Sequence, residues 1–179
     1  VAVVTNITHE HLDYHGSYEA YREAKALLFR ALSASQRKPG VDKVAVLNAD
    51  DSSYAYLQPI PADRQISYGL AAPADLIAHQ VEDSPAGLRF VATGLAVELP
   101  LTSPLVGRYN VYNILAAAAV GLSQGVAPEA IQAGVAAMPG VTGRMERIEH
   151  GQPFMVIVDF AHTPYSLESA LQAARAARC

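Results

Sequence analysis

A chain of 179 residues, 51% hydrophobic and 17% charged, has enough apolar material for one sizeable core and too little charge for a disordered chain. Its formal net charge of −4, with no gathering of Lys and Arg into a patch, argues against a nucleic-acid or membrane-surface binder. The single cysteine, Cys179, rules out an internal disulfide and fits a reducing, cytoplasmic compartment.

The chain opens on VAVVT, residues 1 to 5, a β-branched run that reads as a strand buried on both faces. Residues 17 to 35 read as a helix with Ser17 as its N-cap, and KVAVL, residues 43 to 47, as a second buried strand. Together they make a strand, helix, strand unit of a parallel sheet. From residue 65 to about 106 the pattern shortens to alternating pieces punctuated by Pro73, Gly87 and Gly94, which predicts a small antiparallel sheet beside the parallel one. VYNILAAAAVGLS, residues 111 to 123, is apolar nearly all round and predicts a helix enclosed by protein. Pro128 opens a further helix to about Met138. Residues 145 to 148 and 154 to 158 predict either a hairpin turning at His150-Gly151 or the start of a new sheet, so a domain boundary is placed near Gly151. A last helix begins near Pro164 or Ser166. No run approaches about twenty uninterrupted apolar residues, so no membrane partner is expected. The absent initiator Met and the uncapped helical pattern at the end suggest a piece of a longer protein.

The most informative run is HEHLDYHGSYEAYREAK, residues 9 to 25. At helical spacing Tyr18, Tyr21, Leu28, Phe29 and Leu32 share one arc, and Lys25 falls inside it. A lone lysine there commonly extends its charged end to water. Held on a buried face, it would instead have its neutral amine favoured, able to add carbon dioxide and become a carbamate that suits a hard cation such as Mg²⁺. His9, His11 and His15 alone are a weak metal signal: there is no cysteine partner, and their spacing is not that of a helical zinc pair. Asn110 and Asn113 lie three apart at the start of an apolar helix, as caps or as ligand contacts. Arg144 follows a flexible Thr-Gly pair; Asp159 and His162 occupy a loop after a buried strand, where α/β proteins place ligand groups. Asn48, Asp50 and Asp51 read either as site residues or as Asx turns.

TNITHEHLDYHGSYEAYREAKALLF, LNADD, GRYNVYNILAAAA, and GVTGRMERI with VDFAHTP, in that order over nearly the whole chain, resemble the Mur ligase family. The closest likeness is to the branch that adds the third amino acid of the peptidoglycan stem peptide. The resemblance implies an α/β fold: the latter part of a P-loop-type central domain (parallel sheet plus small antiparallel sheet) over residues 1–150, then the start of a Rossmann-like C-terminal domain over 151–179. It implies ATP and Mg²⁺ as cofactors, and UDP-N-acetylmuramoyl dipeptide and an amino acid as partners. By the same resemblance Lys25, carboxylated on its side chain, and His11 are catalytic and hold Mg²⁺. Asn113, Arg144, Asp159 and His162 contact ATP, and His15 faces substrate. The family's phosphate loop, GxxxxGK[ST], does not occur in these residues, so the chain alone is not expected to catalyse. DFAHTPYS departs from the commoner DYAHTPDS at Phe160 and Tyr165. Folylpolyglutamate- and cyanophycin-synthetase-like ligases, and a non-catalytic ATP-binding module, are the rival readings.

Overall fold

The computed structural model describes residues 1–8, 12–71 and 73–176; His9 and His11 lie outside the described residues, as does the side chain of Tyr165. β1 (Ala2–Val3) lies parallel to β2 (Val44–Asn48), and β2 parallel to β3 (Arg64–Gly69). All five residues of β2 are buried, as a β-branched run between two neighbours requires. β3 pairs in parallel with the first residues of β4 (Leu76–Ser84), after which β5 (Gly87–Gly94) and β6 (Val97–Ser103) continue antiparallel. The expected parallel and antiparallel strands are therefore both present, but hydrogen-bonded into one sheet in the order β1-β2-β3-β4-β5-β6. The QISYG segment belongs to the parallel part, because residues 65 to 69 register on 45 to 48 and 76 to 77. At Gly94, with φ of +133°, a Cβ would stand 1.9 Å from the Asp75 carbonyl oxygen, so only glycine fits where β5 crosses the start of β4.

Period-two alternation sends successive side chains of β2 to opposite faces. Val44 and Val46 join Ile66, Tyr68, Leu99 and Leu115 in one core, while Ala45 and Leu47 join Tyr21, Phe29 and Leu57 in the other. The first core is closed by α4 (Tyr109–Ser123), the second by α2 (Tyr18–Ala34) and the single turn α3 (Tyr54–Leu57). α2 begins as predicted: the Ser17 hydroxyl accepts the Ala20 N–H at 3.1 Å. α1 (Leu12–His15) precedes it, and α5 (Pro128–Ala137), opened by proline, lies along β6. β7 (Glu146–Ile148) and β8 (Val156–Val158) form the antiparallel pair of the hairpin alternative, and α6 (Pro164–Ala176) follows.

One expectation is corrected. Lys25 is exposed, and Leu28, its neighbour on the expected apolar arc, is 53% exposed. α2 packs through Tyr21, Ala26 and Phe29, a face turned toward Ala26, so Lys25 falls at its edge. Lys25 is therefore not held on the buried face of α2.

Candidate functional site

The candidate residues fall into two groups, one on α1 and α2 and the other around the start of α4 and the loop after β8. In the first, Tyr21 is a platform: the His15 ring lies 5.0 Å from its ring and the Lys25 ammonium 5.1 Å from its centroid. Lys25 and His15 thus share Tyr21 as a neighbour, and the position of His11 lies outside the described residues. Among the described residues no group of three or more His, Cys, Asp or Glu could hold a metal ion.

Asn48, Asp50 and Asp51 take the Asx-turn reading. Asn48 accepts the Asp50 N–H at 3.0 Å and donates its amide to the Thr5 carbonyl at 2.7 Å. One Asp50 carboxylate oxygen accepts the N–H groups of Leu70 and Ala71 at 2.6 and 3.2 Å and the Tyr112 hydroxyl at 3.2 Å. One Asp51 oxygen accepts from Ser53 N–H at 3.0 Å, from the Ser53 hydroxyl, and from Ile7 N–H at 3.3 Å. The motif joins the exits of β1, β2 and β3.

The second group gathers on the first turns of α4. Asn110 donates to the Val106 carbonyl at 2.7 Å and accepts from the Asn113 amide at 3.0 Å, which orients Asn113. Asn113 lies on the rim of a cavity of about 380 Å³, whose walls of Leu105, Ile114, Ile131, Val135 and Met138 are almost wholly apolar. A flat apolar ring with polar edges suits such a slot. Nearby, the two Asp159 oxygens accept the N–H groups of Met145 and Ala161 at 2.8 and 2.7 Å, tying the loop after β8 to the turn that carries Arg144. The Arg144 guanidinium stands 5.0 Å from the Phe160 ring and the His162 ring 5.0 Å from it edge-on. His162 Nδ1 is 2.9 Å from the Phe160 carbonyl.

Two residues of this group were missed as site residues in the sequence. Phe160 reads there as a mild change, yet it is the ring that Arg144 and His162 share. Tyr109 stands between the start of α4 and the Asp159 loop: burial, then the nearby Asp159 and Asp83 charges, push its hydroxyl above the ordinary tyrosine range. An aromatic beside Asn110 at the start of an apolar helix was its only signal.

The chain is similar to known proteins over nearly its whole length. The model of the Mur ligase middle domain matches residues 1–121. A UDP-N-acetylmuramoyl-L-alanyl-D-glutamate–2,6-diaminopimelate ligase of Bacillus velezensis is 46% identical over 96% of this chain and 35% of its own length. A solved structure of a ligase of that same name has a TM-score of 0.79 at 33% identity, covering 99% of this chain and 36% of its own. MurF from Acinetobacter baumannii has a TM-score of 0.85 at 26% identity, covering 99% and 37%. The chain spans about a third of the length of the curated relatives it matches.

Proposed function

Because the chain belongs to the Mur ligase family through its middle domain, we propose that the full-length protein joins an amino acid to UDP-N-acetylmuramoyl-L-alanyl-D-glutamate at the expense of ATP. The observation that carries this reading is Asn113, a residue of the family-matched segment, oriented by Asn110 at the edge of an apolar slot. 2,6-Diaminopimelate is the amino acid to test first, being the one in the name of the Bacillus velezensis relative. The reaction belongs in the cytoplasm, where ATP and a nucleotide-linked precursor are found together. Residues 151–179 begin the C-terminal domain in this reading.

The substrate carboxylate takes the terminal phosphoryl group of ATP to form an acyl phosphate, and the incoming amine displaces phosphate from the acyl carbon. In this chain Asn113 would hydrogen-bond the adenine edge and the apolar walls would take its faces. Asp159 keeps lone pairs beyond its two main-chain bonds with which to accept ribose hydroxyls. Arg144 and His162, steadied on Phe160, present donors to the nucleotide's anionic end. Lys25, as its carbamate, and His11 would hold Mg²⁺ together with the phosphate oxygens. That donor set is of the usual kind for this ion, which takes one or two carboxylates plus substrate phosphates. When bound, Mg²⁺ supplies neutralisation of charge on the transferring phosphoryl group.

The test is amide formation by the full-length protein, followed by mass spectrometry and phosphate release, with ATP, the UDP-linked dipeptide and 2,6-diaminopimelate or lysine. Asn113→Ala should raise the KM for ATP by about tenfold, the loss of roughly one hydrogen bond to the ring. Lys25→Ala should lower kcat at least ~100-fold, with partial rescue by short carboxylic acids or bicarbonate. A protein that binds ATP yet forms no amide product with any amino acid would be a non-catalytic module, and the proposal would fail.

A further inference from the structure

The two ring nitrogens of His162, exposed in the loop after β8, have different surroundings. Nδ1 lies 2.9 Å from the Phe160 carbonyl oxygen. A carbonyl only accepts, so the proton of that bond sits on Nδ1. A neutral imidazole carries one proton, which leaves Nε2 as a bare lone pair. Neutral His162 therefore offers an acceptor outward, and Nε2 becomes a donor only when the ring takes up a second proton. The carbonyl bond and the edge-on seat against the Phe160 ring, 5.0 Å between centroids, both hold the ring in this orientation.

Arg144, its guanidinium 5.0 Å from the same ring, makes no ion pair among the described residues. The other titratable groups around the loop are engaged elsewhere. The Asp159 oxygens accept the Met145 and Ala161 N–H groups, Glu146 accepts the Gly143 N–H at 2.7 Å, and Glu168 of α6 accepts the Gln172 amide at 3.3 Å. Tyr109, at the start of α4, faces Asp159 and Asp83.

Resting on the function proposed above, we infer that the Phe160 carbonyl fixes the tautomer of His162, so that His162 meets the nucleotide's phosphate oxygens only as the imidazolium and ATP binding takes up a proton. Phosphate oxygens accept, and a bare Nε2 also accepts, so the neutral ring sets lone pair against lone pair. The charged ring donates through Nε2 while Nδ1 keeps its bond to Phe160. Beside Arg144 it makes a second charged donor, the stronger class of hydrogen bond. Because the bound state holds the extra proton, ATP affinity falls as the pH rises through the range of about 5 to 8 in which histidine side chains change charge.

The test uses the full-length protein with ATP and Mg²⁺, without peptide or amino acid substrate. Side-chain nitrogen-15 spectra of the nucleotide-free protein near pH 8, with the His162 signal assigned by its loss in His162→Gln, should show the Nδ1–H tautomer. Calorimetry near pH 7.5 in two buffers of different ionisation enthalpy should show wild type taking up about half a proton more than His162→Gln on binding ATP. From about pH 6 to about pH 8 the wild-type Kd should weaken about tenfold more than that of His162→Gln, whose amide N–H donates at every pH. The titration of ATP itself is common to both proteins and drops out of the comparison. An Nε2–H tautomer, equal proton uptake, or the same pH dependence of Kd in the two proteins would each overturn the inference. A protein that binds no ATP sinks the functional reading itself, an outcome separate from ATP binding to which His162 is indifferent.

Discussion

Asp50→Ala tests whether the LNADD loop is architecture. The carboxylate accepts two main-chain N–H groups from the turn after β3 and a hydroxyl from α4, and it is packed so closely that a Cβ on Gly69 would stand 2.9 Å from its oxygen. Hydrogen bonds to a charged acceptor contribute about 1.5–3 kcal/mol each when buried. Two are partly buried, one is exposed and two are long, so Asp50→Ala should cost about 2–4 kcal/mol. For a chain of this length that is a fall in Tm of about 5–15 °C. Urea denaturation of wild type, Asp50→Ala and Asp50→Asn would measure it, and Asn, which keeps one acceptor oxygen without the charge, should fall between the other two. Gly69→Ala should approach the Asp50→Ala value, because the added methyl displaces the same carboxylate. A change within ~0.5 kcal/mol of wild type for Asp50→Ala would refute the reasoning and return Asp50 to the list of site residues.

The Tyr56 hydroxyl, donating to Glu23, holds that carboxyl below its ordinary value of 4.5, with Arg30 at 2.9 Å assisting. A depressed folded-state value means the contribution is complete above about pH 4.5 and is lost as the pH falls through the folded value. Tyr56→Phe should therefore bring Glu23 back toward 4.5 in a carbon-13 carboxyl titration and flatten the acid side of the stability curve, and an unmoved Glu23 would count against it. Leu115, fully buried between α4 and the sheet, should cost about 2–5 kcal/mol on truncation to Ala, read by the same urea denaturation. A loss under 1 kcal/mol would mean α4 can close over the vacancy.

Much of the architecture was legible because it rests on short-range pattern. The β-branched run of β2, the serine ahead of α2, the apolar length of α4 and the proline opening α5 each act within a few residues, and each element is found where its signal stands. α3 was not read, since four residues are too few to show a helical period. The family, too, was legible, from ordered motifs that the matched domain model bears out over residues 1–121. What the sequence could not settle are relations between distant positions. Burial of Lys25 depended on which way α2 turns against the sheet, and Tyr21, Ala26 and Phe29 decided it by their packing. Whether LNADD was site or scaffold depended on partners 44 and 62 residues away, at Ile7 and Tyr112. The roles of Tyr109 and Phe160 came from a loop and a helix start brought side by side across some fifty residues of chain. Local chemistry chose the elements; the sheet, by bringing the ends of its strands together, chose which side chains meet.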